Sequence, residues 1–177
     1  MSALASGRRL ALLDRDGTII IDKVYLADPD GVEFAAGAIA GMRLLRDAGY
    51  DLALVTNQSG IARGYLDEAM LDRIHARLAE MLAAEGLAFA TLRYCPHGPD
   101  DGCACRKPAP GMLLDILAEL GVAAEQACMI GDSDADMGAA RAAGVAGVRI
   151  GTAPGDAPDF LAAARRALAL QGDPEAA

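Results

Sequence analysis

The sequence predicts an α/β fold: a doubly wound, mainly parallel sheet with helices on both faces. Three observations carry the prediction. Short, continuous apolar runs alternate with helix-period segments along the chain, and strands that read as unbroken apolar runs are those buried on both faces of a parallel sheet. Glycines close several of the helical segments. The polar clusters fall directly after the apolar runs, where open α/β sheets bind their ligands.

The first strand is RLALLD (9–14), followed by a helix over 37–48 that Gly49 ends. A second strand, DLALVT (51–56), leads into a helix over 67–85, with Asp67 suited to cap its N-terminus and Gly86 placed to end it. AFATLRY (88–94) is the third strand, and the helix over 111–120 stops at Gly121. QACMIGD (126–132) and GVAGVRI (144–150) supply two more strands around a helix over 134–143. A last helix spans 158–170, and the tail QGDPEAA is expected to fray. No repeat, low-complexity segment or linker interrupts this order, so residues 1–177 read as one domain.

Composition narrows the function. With 53% hydrophobic and 23% charged residues the chain suits an ordinary soluble core. A net charge of −9 excludes the basic field that non-specific nucleic-acid binding requires. No apolar run reaches the ~18 residues of a membrane span, and the N-terminus lacks the pattern of a secretory signal. A cytoplasmic protein is expected. Three of its four cysteines crowd between positions 95 and 105, while Cys128 sits in an apolar run and reads as core. Clustered cysteines in a reducing compartment point to metal ligation rather than disulfides.

Asp14 and Asp16 stand in DRDGT at the end of the first strand. In an extended chain this spacing sends both carboxylates to one side and Arg15 to the other. Such a pair repels unless a cation lies between its members or one is protonated; the plainer alternative is two solvated turn residues ahead of Gly17. Thr56, Asn57, Gln58, Ser59 and Gly60 after the second strand offer hydroxyl, amide and backbone donors to a phosphate, although such a run also makes an ordinary loop. Arg106 and Lys107 read either as surface charges or as two cations that neutralise a phosphoryl group. In GDSDAD, Asp132 ends the fourth strand and is expected to meet Asp14 and Asp16 across the sheet edge, whereas Asp134 reads as a helix N-cap with Asp136 behind it. Three carboxylates with oxygen-only ligation suit Mg²⁺.

Taken in order, DRDGT, the strand-end Thr56, Lys107 and GDSDAD resemble the four motifs of the haloacid dehalogenase-like phosphatases, over residues 10 to 150. The resemblance implies a capless phosphatase that hydrolyses a phosphate monoester through an aspartyl-phosphate on Asp14. It makes Asp14 nucleophile and magnesium ligand. Asp16 becomes the acid/base, with its backbone carbonyl on the metal, and Asp132 the remaining metal ligand. Thr56 and Lys107 would hold the phosphoryl oxygens.

Cys95-x-His97 and Cys103-x-Cys105 form two short pairs that can close a tetrahedral Cys₃His shell, the pattern of structural zinc. Such a metal would fix a loop poor in apolar residues and aim Arg106 and Lys107 at the site. His75 reads as a surface or packing residue.

LLDRDGTI, VTNQSGIARG, YCPH, CRKPAPGML and GDSDADM are similar to the bacterial heptose 1,7-bisphosphate and histidinol-phosphate phosphatase family. On that resemblance the enzyme is monomeric, uses zinc and magnesium, and removes the 7-phosphate of a lipopolysaccharide-type heptose precursor. Asp22, Lys23, Val24, Tyr25, Thr56, Asn57, Gln58, Ser59, Arg106 and Lys107 would contact the phosphorylated sugar. NQSGIARG favours the heptose substrate; the short His97–Cys103 spacing matches the histidinol-phosphate enzymes, and Ser133 replaces a lysine common in the heptose enzymes. A catalytically silent zinc-loop protein is the alternative from another class.

Overall fold

A computed structural model describes residues 7–173. Five strands form one parallel sheet in the order β3-β2-β1-β4-β5. They are β1 (Arg9–Leu13), β2 (Tyr50–Asn57), β3 (Thr91–Cys95), β4 (Ala127–Gly131) and β5 (Ala146–Arg149). The helices between them are α1 (Ala38–Asp47), α2 (Glu68–Ala84), α3 (Gly111–Leu120), α4 (Asp134–Ala143) and α5 (Phe160–Leu170).

Every strand pairing is parallel, and Leu12 on β1 lies between Ala53 of β2 and Met129 of β4. Period-two alternation divides the core in two. Ala11 and Leu13 face Met42, Leu45, Ile74, Phe160 and Leu168, so α1, α2 and α5 cover one side. Leu10 and Leu12 face Met112, Leu113, Ile116, Ala139 and Ala140 on α3 and α4. That explains the unbroken apolar runs of β1 and β4. The chain proceeds from β1 outward through β2 to β3, then returns to place β4 on the other side of β1. The carboxyl ends of β1 and β4 thus flank a topological switch point. No helix among the described residues is long and apolar enough to cross a membrane.

Several local expectations are corrected. The strand expected at 88–94 begins later, at Thr91, because residues 87–90 lead from α2 to the sheet without a ladder. Asp134 is the first residue of α4, not its cap. Ser133 is the cap: its extended backbone lets Oγ accept from the Asp136 N–H at 3.2 Å. Asp67 does cap α2, accepting from the Met70 N–H at 2.7 Å. The tail is held at least to Asp173. Gln171 Nε2 donates to the Ala127 carbonyl at 3.1 Å, and the Asp173 carboxylate accepts from Tyr50 Oη at 3.1 Å and pairs with Arg9. The rest of QGDPEAA lies outside the described residues, as does most of the N-terminal stretch.

Candidate active site

Asp14 follows β1 and is fixed by its amide, which donates to the Ile130 carbonyl on β4 at 3.0 Å. Lys107, 93 residues later in the chain, reaches its side chain beneath it. The Lys107 ammonium donates to Asp14 Oδ1 at 2.7 Å, to Asp136 Oδ1 at 2.6 Å and to the Val55 carbonyl at 2.8 Å. All three donor positions are used, and the lysine is 3% exposed. Asn57, the last residue of β2, fixes the Lys107 backbone: its Oδ1 accepts from the Lys107 N–H and its Nδ2 donates to the Lys107 carbonyl, each at 3.0 Å.

Asp136, which the sequence alone left behind Asp134 without a role, joins the cluster through Lys107. It is fully buried on the first turn of α4. While Oδ1 faces Lys107, Oδ2 accepts from the Ser133 N–H at 3.0 Å and from Ser133 Oγ at 2.6 Å. The available signal was the Ser-x-x-Asp spacing of a capping box. Asp132 sits in the loop just beyond β4. Gly17 makes room for it: the glycine has φ +74°, and a Cβ there would come within 2.2 Å of Asp132 Oδ2.

Carboxylate oxygens of Asp14, Asp132 and Asp136 lie within 4.8 Å of one another. Burial pushes the Asp14 carboxyl up to about 8; Lys107 opposes that shift, while Asp136 and Asp132 add to it. The Asp132 carboxyl is raised as well, first by its own burial and then by Asp136. Three crowded carboxylates against a single ammonium fit a hard divalent cation, which would relieve their repulsion with oxygen donors alone.

Asp16 takes a different path. β1 ends at Leu13, and the Arg15 carbonyl accepts from the amides of Thr18, Ile19 and Ile20 at 3.0–3.3 Å, forming a tight turn. Arg15 faces away from Asp14 as expected, toward His75 on α2, while Asp14 meets Lys107 and Asp136 on the α4 side; the turn nevertheless brings its guanidinium to Asp16. The Arg15 guanidinium curls back, donating from Nε to Asp16 Oδ2 and from Nη2 to Asp16 Oδ1, each at 3.2 Å. Gln58 Nε2 donates to Asp16 Oδ2 at 2.9 Å and to Thr56 Oγ1 at 2.8 Å, which ties the two loops together.

A cavity of about 260 Å³ opens beside Asp16, lined by Asp22, Val24, Tyr25, Asn57, Gln58 and Ser59 among others. Val24 and Tyr25 sit in the left-handed region at φ 47° and 58°, an unusual conformation that costs strain. Lys23 is outside this lining, its ammonium 3.2 Å from Glu33. Arg106 is apart from it too, donating from Nη1 to the His97 carbonyl at 3.3 Å and bordering a second cavity of about 430 Å³ with Lys107 and Ala135.

The expected cysteine cluster assembles. Cys95 ends β3, and the loop that follows returns His97, Cys103 and Cys105 to it. Cys95 Sγ lies 3.4 Å from His97 Nδ1, 3.2 Å from Cys105 Sγ and 3.7 Å from Cys103 Sγ, with His97 Nδ1 to Cys105 Sγ at 3.2 Å. Edges of a tetrahedral thiolate shell are about 3.8 Å when metal–sulfur bonds are about 2.3 Å. These four donors are slightly contracted from that figure and fit a closed metal shell. Cys128 is buried in the core.

Comparison with known proteins places the chain in a family. The HAD-hydrolase-like family model matches residues 104–170. The D-glycero-β-D-manno-heptose-1,7-bisphosphate 7-phosphatase of Pseudomonas aeruginosa is 46% identical over 149 residues, covering 84% of each chain. Its counterpart in Bordetella bronchiseptica is 39% identical over 168 residues, 94% of this chain and 89% of that one. A crystal structure of the D,D-heptose 1,7-bisphosphate phosphatase of B. bronchiseptica complexed with magnesium and phosphate superposes with a TM-score of 0.81 at 36% identity, covering 91% of this chain and 98% of the other. The chain belongs to the haloacid dehalogenase-like phosphatases, in the family of the heptose 1,7-bisphosphate 7-phosphatases.

Proposed function

We propose that this chain removes the 7-phosphate of D-glycero-D-manno-heptose 1,7-bisphosphate, with Asp14 as nucleophile. The observation that carries the reading is the Lys107 ammonium held 2.7 Å from Asp14 Oδ1, in a chain 46% identical to an enzyme of that name. In the first half-reaction an Asp14 carboxylate oxygen bonds to phosphorus. The ester P–O bond breaks, its electron pair stays with the departing sugar oxygen, and that oxygen takes a proton from Asp16. In the second half-reaction Asp16 accepts a proton from water as the water oxygen attacks phosphorus. The acyl-phosphate P–O bond breaks, releasing phosphate and restoring Asp14. Thr56 orients the phosphoryl oxygens, and Lys107 holds Asp14 in place and adds positive charge beside them.

Asp14 and Asp132, with the Asp16 carbonyl, would hold magnesium, which would supply the positive charge that lets a carboxylate approach a phosphate dianion. Zinc suits the Cys95, His97, Cys103 and Cys105 donor set and has a structural role, with no ligand position left for water. A thiolate cluster needs reduced cysteines, which accords with a cytoplasmic site of action. Asp22, Val24, Tyr25, Asn57, Gln58 and Ser59 line the cavity beside Asp16, so the sugar would lie there.

The test is kcat/KM on heptose 1,7-bisphosphate against histidinol phosphate. A second phosphate can gain charge-assisted bonds that a cationic amino alcohol cannot, so a preference of at least ~100-fold is expected. Equal efficiency, or a preference for histidinol phosphate, would overturn the substrate assignment and leave the phosphatase chemistry standing.

A further inference from the structure

Arg15 is the largest side chain to be completely enclosed, at 1% exposure, and the mechanism above gives it no task. A buried guanidinium is costly unless its donors are met. Here each nitrogen has a partner. Nε and Nη2 hold both oxygens of Asp16, Nη2 also donates to Gln58 Oε1 at 3.0 Å, and Nη1 lies 3.2 Å from His75 Nε2 on α2. Since a guanidinium can only donate, His75 Nε2 must accept. Burial, reinforced by Arg15, lowers His75 to about 3, so its ring is the neutral acceptor at physiological pH. The ring also meets Tyr94 on β3, with centroids 6.0 Å apart.

We propose that Arg15 is a positioning residue for the acid/base Asp16, and that His75 holds Arg15 in register from the far side. The guanidinium plane fixes both carboxylate oxygens, Gln58 fixes one of them to Thr56, and His75 stops the arginine from rotating away. Asp16 is thereby kept at the mouth of the cavity where the departing oxygen must lie. This inference rests on the role given to Asp16 above.

A mispositioned acid penalises esters by how badly their leaving group needs a proton. The pairs to compare are His75→Leu, which removes the acceptor, and His75→Gln, whose Oε1 replaces Nε2; Arg15→Lys is a further variant. Each is assayed with 2,4-dinitrophenyl phosphate, whose leaving group departs unaided, and with an alkyl phosphate. kcat/KM is the readout, because it covers only the steps up to leaving-group departure. For His75→Leu we expect a loss of about 10- to 100-fold on the alkyl ester, part of the general-acid contribution, and less than about 3-fold on the dinitrophenyl ester. His75→Gln should restore the alkyl rate to within about 3-fold of wild type, the scale of a small residual misalignment. Equal losses on both esters would mean a merely structural role and would overturn the proposal, as would an unaffected His75→Leu. If Arg15→Lys does not fold, the two His75 variants decide the matter alone. A wild-type chain inert toward both esters would instead overturn the phosphatase reading, and this inference with it.

Discussion

Asn57 and Lys107 clasp each other through two antiparallel bonds, amide to carboxamide and carboxamide to carbonyl, both at 3.0 Å. The last residue of β2 thereby fixes the backbone of the loop that carries the Lys107 ammonium. Asn57→Ala would leave the Lys107 peptide unpartnered while its side chain stays in place. We expect kcat to fall about 10- to 100-fold, the cost of a small misplacement at the reacting centre. Metal content should be unchanged. Wild-type turnover in this variant would show that the cysteine loop needs no such anchor.

The nucleophile and its neighbour separate by phenotype. Asp14→Asn keeps the side-chain shape but removes the attacking carboxylate. Hydrolysis of an aryl phosphate should drop by several orders of magnitude with the fold intact. A variant that still turns over near the wild-type rate would remove Asp14 from the chemistry.

Asp136→Ala should instead be a stability variant first. It strips Lys107 of one of two buried anions, 2.6 Å away, and removes half of the capping box at the start of α4. Breaking a buried pair on one side costs about 3–5 kcal/mol. Urea unfolding at neutral pH measures it, and a loss below about 1 kcal/mol, the usual worth of a cap alone, would show that Lys107 is adequately served by Asp14.

Removal of one thiolate tests the metal loop. Cys105→Ser should release zinc, which in the wild type is expected at about one per chain by elemental analysis. Activity should fall with it, since Lys107 lies two residues beyond Cys105 and Arg106 is bonded to the His97 carbonyl. A fully active wild type that carries no zinc would contradict this account of the loop.

What was legible in the sequence follows from which contacts are local. Strands β1 and β4 announce themselves because burial on both faces forbids polar residues along them, and the ends of α1, α2 and α3 because glycine follows them. Cys95, His97, Cys103 and Cys105 were legible because a metal shell leaves a short spacing pattern. Asp136 was not: its partner Lys107 is 29 residues away, and only the fold brings an α4 side chain under β1. The Arg15–Asp16 pairing was not legible either, because β1 ends two residues before Arg15 and a turn held by three amides on the Arg15 carbonyl brings the guanidinium to Asp16. Asn57 was placed at the phosphate for its amide group, without sight of the lysine peptide 50 residues on.

His75 gives the fold a pH dependence that one substitution can isolate. Its ring is partly buried beside Arg15 and Tyr94, and burial with the guanidinium lowers it to about 3. In the unfolded chain the same imidazole titrates near its ordinary value of about 6.5. Above that pH both states are neutral and His75 contributes no slope. As the pH falls below it, the unfolded chain binds a proton that the folded chain refuses until near pH 3, so stability is lost as the solution is acidified across this window. The slope approaches about 1.4 kcal/mol per pH unit for one proton. His75→Gln keeps an acceptor for Arg15 but cannot titrate. Between pH 6.5 and pH 5 the wild type should therefore lose about 2 kcal/mol more than the variant in urea unfolding free energy. Carboxylates elsewhere titrate alike in both proteins and cancel in the difference. Parallel stability curves would mean that His75 is protonated in the folded chain, and a protonated ring could not accept from Arg15.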